Sequence, residues 1–72
     1  MNICVGGELD GQKIDKNVKT FKASEIDSSY TTDYYLQIYN RDNVQYQFWL
    51  PVGSNLHEMS KLVLDILRAP KN

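Results

Sequence analysis

Cys4 and His57 are the lone thiol and the lone imidazole of the chain, so any thiolate nucleophile and its base would have to be this pair. A cysteine nucleophile needs a nearby histidine or a helix N-terminus to lower its pKa. Cys4 lies in a short apolar run at residues 2–5 that reads as a strand, where a small buried hydrophobe is expected. His57 falls in the first turn of a predicted helix, which disfavours a protonated imidazole. No catalytic residue is assigned. With one cysteine and one histidine, a zinc site of the CxxC or HxxxH kind cannot be assembled within the chain. Glu8, Asp10 and Asp15 make a loose carboxylate group, but their spacing is not that of an EF-hand loop. The run GGELDG, residues 6–11, lacks the lysine and following helix of a phosphate-cradling loop and reads as a turn. The sequence predicts no metal and no cofactor.

The elements that must position these residues are legible from periodicity. The apolar run at residues 2–5 predicts a first strand that ends at Gly6 and Gly7. Three glycines and an Asp-Gly pair predict a hairpin turn after it. Residues 12–22 carry β-branched positions interrupted by Asp15, Lys16 and Asn17, and read as either one strand or two. The serine-rich stretch 23–32 predicts a connection, with one helical turn at residues 24–27. Residues 33–40 and 43–50 alternate cleanly and predict two strands, with a tight reversal at Arg41 and Asp42 between them. Pro51 and Gly53 stop the second of these. Ser54 or Asn55 then caps a helix, with Glu58 at capping-box spacing, running to about Arg68 before Pro70. Leu56, Met59, Val63, Ile66 and Leu67 share one arc of that helix, with Leu62 at its edge. Lys61, Asp65 and Arg68 are spaced for ion pairs on the outer face.

These elements define an α+β fold in ββββα order, an antiparallel sheet of three to four strands with one C-terminal helix packed on one face. Alternation along the central hairpin sorts Tyr34, Leu36, Ile38, Val44, Tyr46, Phe48 and Leu50 into one set. Tyr35, Gln37, Tyr39, Gln45, Gln47 and Trp49 form the other. The first set is the more apolar and is expected under the helix. A single helix covers one sheet face, which leaves Tyr35, Tyr39 and Trp49, with Gln37 and Gln47 between them, as a candidate partner-binding face. Leu64 projects away from the helix's apolar arc and extends the candidate surface.

At 72 residues the chain is one small domain, residues 1–72, with a thin core. Lys plus Arg total 8 against 9 for Asp plus Glu, a net charge of -1. That balance gives no bulk attraction to nucleic acid or anionic membrane. The longest apolar helical run, residues 62–67, is broken by Asp65 and is far short of a membrane span. The single cysteine fits the reducing cytosol. Residues 1–11 lack the basic and apolar regions of an export signal, so a cytoplasmic location is expected.

At residues 3–12, ICVGGELDGQ, the sequence resembles short uncharacterised proteins of bacteriophages and prophages, which open with a strand, a Gly-Gly pair and Leu-Asp-Gly. Such proteins commonly carry proline where this chain has Glu8. The resemblance implies a small accessory protein of phage origin working in a bacterial cytoplasm. The expected function is a non-enzymatic protein-binding or self-associating module acting through the aromatic face, as a homodimer or on a host protein. A nucleic-acid-binding accessory protein, using the same aromatics with Arg41 and the lysines of residues 13–22, is the alternative. A small enzyme subunit is the residual reading.

Overall fold

The computed structural model describes residues 2–68. Three-residue strands flank a long central hairpin: β1 spans Asn2–Cys4, β2 Thr20–Lys22, β3 Asp33–Arg41 and β4 Val44–Pro51. A single 3-10 turn, Ala23–Glu25, follows β2, and the helix α1 covers Leu56–Arg68. The four strands form one sheet in the order β1-β4-β3-β2, so the α+β class and the ββββα order expected from the sequence are those of the protein. The Pro70 stop lies outside the described residues. One pairing departs from the all-antiparallel expectation: β1 runs parallel to β4, with Ile3 opposite Phe48.

The reversal between β3 and β4 is at Asp42 and Asn43, one residue later than the sequence suggests. Both adopt the left-handed conformation, with φ of 52° and 64°, as a two-residue hairpin turn requires and as Asp and Asn tolerate. Arg41 then pairs with Val44, Tyr39 with Tyr46 and Gln37 with Phe48. Such a turn joins residues whose numbers sum to an odd value, so odd positions of β3 share a face with even positions of β4. The sets sorted by a common parity are therefore each split across both faces. The helix face carries Tyr35, Tyr39, Tyr46, Phe48 and Leu50, together with Ile3 and Val5, beneath Met59, Val63 and Leu67. The opposite face carries Tyr34, Leu36 and Trp49, packed with Cys4, Phe21, Leu9 and Ile14.

That second face is covered without a second α-helix among the described residues. The Gly6–Gly11 turn folds back beside β1, where the Gly11 amide donates to the Cys4 carbonyl at 2.8 Å and the Cys4 amide to the Gln12 carbonyl at 2.9 Å. The predicted hairpin amounts to one antiparallel bridge, Ile3 with Lys13. Its loop bends over the sheet and drives Leu9 and Ile14 into the core. Residues 12–22 resolve into that bridge and a separate strand, β2, which pairs with β3. Two polar anchors fix the loop. The Tyr34 hydroxyl donates to the Gly6 carbonyl at 2.6 Å and accepts from the Leu9 amide at 3.1 Å, and the Trp49 indole donates to the Ile14 carbonyl at 3.0 Å. A Cβ at Gly7, where φ is +70°, would overlap the Tyr34 hydroxyl, so this position needs glycine twice over.

Candidate functional site

The residues expected to form a binding face are not on one surface. Tyr35, Gln37 and Tyr39 lie on the helix side of the sheet, whereas Gln47 and Trp49 lie on the side covered by the glycine loop. Trp49 is wholly buried, its ring edge-on to Phe21 at 4.8 Å and 88°. Tyr39 rests edge-on against Phe48 at 5.9 Å, with its hydroxyl 3.1 Å from Ser60 Oγ. Desolvation raises the Tyr35 hydroxyl's pKa, with the neighbouring Tyr39 adding to it. Leu64 is 37% exposed, as its place on the helix suggests. The two-residue turn was the signal available in the sequence, because it dictates which parities meet.

Several of the groups with chemical potential make structural contacts. Burial, with Asp10 nearby, pushes the Cys4 thiol up to about 11, which keeps it protonated at neutral pH. His57 is on the exposed first turn of α1, whereas Cys4 is in the core on β1. Glu8 clasps the loop at Thr31 and Thr32, accepting from both amides at 2.9 Å. The Thr32 side chain, then the two amides, hold its carboxyl below the usual range. Asp10 accepts from the Gly6 amide at 2.7 Å, and Asp15 is 3.7 Å from Lys13. Among the described residues no group of three or more His, Cys, Asp or Glu is placed to hold a metal ion. Lys16 pairs with Glu25 at 3.2 Å and sits over the Phe21 ring.

α1 carries a group of exposed apolar side chains. Asn55 caps the helix, its side chain accepting from the Glu58 amide at 3.2 Å. Met59, Val63 and Leu67, spaced four apart, form the row against the sheet, and Val63 alone is fully buried. The predicted apolar arc is wider than the row it buries. Leu56, Leu62 and Ile66 are 49%, 45% and 41% exposed, where an arc facing the sheet would have covered Leu56 and Ile66. The expected outer-face pairs of Asp65 with Lys61 and Arg68 are not among the ion pairs of the described residues.

At 100° per residue the buried row has two flanks. Leu62 and Ile66 lie on one, and with Val5, Gly6, Gly7, Asp10 and Asp65 they line an open groove of about 460 Å³. The glycine pair forms a low wall that keeps the groove accessible, and both charged residues lining it are carboxylates. Ser60 and Leu64 lie on the other flank, which the Tyr39 contact places on the β3 side of the sheet. No helix among the described residues is long and apolar enough to cross a membrane.

The described residues form an α+β arrangement of four strands and one α-helix. No protein-family model, curated protein or solved structure matches the chain.

Proposed function

We propose that this protein is a non-enzymatic protein-binding module that captures a segment of another protein in the groove between α1 and the Gly6–Asp10 turn. One observation carries the reading: Leu62 and Ile66 stand exposed beside one another, bordered by Asp10 and Asp65 with no cation among the described residues that line the groove. An apolar floor with carboxylates at its margin favours an occupant with apolar side chains and Lys or Arg beside them, since complementary charge steers and orients association. The resemblance of residues 3–12 to phage proteins extends the reading to a small accessory protein acting on a host protein in a bacterial cytoplasm.

Fluorescence anisotropy with a labelled Leu/Lys amphipathic peptide, and with a Leu/Glu peptide of the same pattern, tests it. Binding of the cationic peptide alone is expected, weakened by salt. Leu62→Ser/Ile66→Ser and Asp10→Asn/Asp65→Asn should each reduce it at least about tenfold, a loss of about 1.4 kcal/mol or more. Equal binding of the acidic peptide, or unchanged binding by both double variants, would overturn the proposal. Capture from bacterial lysate, with the Leu62→Ser/Ile66→Ser protein as control, then identifies the natural segment.

A further inference from the structure

The free edge of the sheet points to a second surface, independent of the groove. A sheet edge exposes unpaired amides and carbonyls, and proteins usually shield it with charge, proline, shortness or a covering segment. Three of the four edge stretches here are shielded. Residues 11–14 hydrogen-bond along the outer side of β1, β2 is three residues long, preceded by Lys19 and ending in Lys22, and β4 projects only Val44–Tyr46 past its pairing with β1. β3 differs. Its pairing with β2 stops at Tyr35 and Leu36, the latter donating to the Lys19 carbonyl at 2.8 Å, while the strand continues to Arg41.

Even-numbered residues of β3 direct their backbone groups away from β4, as the Leu36 bond to Lys19 shows. Ile38 and Asn40 therefore present outward amides and carbonyls on an edge that no other strand of the described residues pairs with, the Gln37 side-chain amide donating to the Ile38 carbonyl at 3.3 Å. Residues 37–40 carry no charge. Apolar side chains border the edge on both sides: Ile38, 44% exposed, on the loop face, and Leu64 on the helix flank that lies toward β3.

We infer that β3 pairs antiparallel with β3 of a second copy about a two-fold axis through Tyr39, joining two sheets into one of eight strands. The occupant is argued from self-complementarity. In this register Ile38 stands opposite Asn40 of the other copy and Asn40 opposite Ile38, so every outward group of both residues gains a partner and the contact closes on itself. Tyr39 meets Tyr39 at the position where antiparallel side chains approach most closely. The two helices flank the axis on one face, bringing the Leu64 side chains toward each other. Gln37 faces Arg41, so no like charges are opposed, and the hairpin tip with the exposed Asp42 approaches Lys19 at the start of the other copy's β2.

Sedimentation equilibrium across micromolar to millimolar concentration, with charge-swapped edges, tests this. Ile38→Lys/Asn40→Lys and Ile38→Glu/Asn40→Glu change exposed side chains and should leave the far-UV circular dichroism unaltered. Each variant alone opposes like charges across the axis and should weaken dimerisation at least about 100-fold. Their equimolar mixture should regain dimer, because the two introduced ammonium groups of one copy then face the two introduced carboxylates of the other. Ile38→Pro, which removes only an outward amide, should also give a monomer. Leu62→Ser/Ile66→Ser should remain dimeric, which separates this surface from the peptide groove. A wild type that is monomeric at millimolar concentration, or charge variants that each dimerise as the wild type does, would overturn the inference.

Discussion

Replacing Tyr34 with Phe removes one oxygen and should cost this small domain a large part of its stability. The ring's packing survives, since Tyr34 is stacked on Phe21 at 5.3 Å and is fully buried. What disappears is the joint between sheet and glycine loop. The Leu9 amide, 3.1 Å from that hydroxyl in a buried contact, is left without a partner, and an unsatisfied buried donor costs about 1 to 3 kcal/mol. The Gly6 carbonyl, 2.6 Å away and only partly buried, can turn to water and adds less. A loss of about 2 to 3 kcal/mol is expected, against a total near 4 to 10 kcal/mol for a chain of this length. The melting temperature should fall by about 10 to 20 °C. Urea unfolding followed through the emission of Trp49 reads the same quantity, with an unchanged m-value because the exposed surface is the same. Tyr30→Phe is the control: Tyr30 packs on the same core, its hydroxyl makes no hydrogen bond among the described residues, and it should lose no more than about 0.5 kcal/mol. If Tyr34→Phe also loses less than about 0.5 kcal/mol, the loop is not held through this oxygen.

Three further outcomes follow from the same geometry. Glu8 has a folded-state pKa below its ordinary value, so its contribution is full above the unfolded carboxylate range and is lost as pH falls through the folded value. Denaturant titrations of wild type and Glu8→Gln should accordingly diverge at neutral pH and converge in acid. Asn55→Ala deletes the helix cap and should cost about 1 kcal/mol by urea midpoint. The Cys4 thiol should react with a thiol reagent at neutral pH only at the rate of unfolding, and a rapid reaction in native buffer would contradict its burial.

Elements with strong local signals were legible in advance: the alternating strands, a tight reversal between them placed one residue early at Arg41 and Asp42, and the helix with its cap. Their mutual placement was harder. The side-chain sets depended on the register across one turn, and treating both strands by a single parity sent Trp49 to a surface it does not occupy. The glycine loop was misjudged for a different reason. GGELDG has the residues of a hairpin turn, but the large aromatic surface of Trp49 and Tyr34 needed covering, and Leu9 within the loop and Ile14 beyond it supply that cover. Exposure along α1 was legible for Leu64, which projects well off the apolar arc. For Leu56 and Ile66 it was not, because a helical arc predicts direction and not the breadth of the sheet beneath it.

The parallel pairing of β1 with β4 also orders events in time. Ile3 takes its place in the sheet beside Phe48, 45 residues further along the chain, so this position is completed only when both segments are present. Until then Val5 and the loop that carries Leu9 have no sheet to close upon, and such distant partners assemble slowly. Closing this side of the sheet is therefore a long-range step, and Cys4 meets solvent whenever β1 is detached from β4.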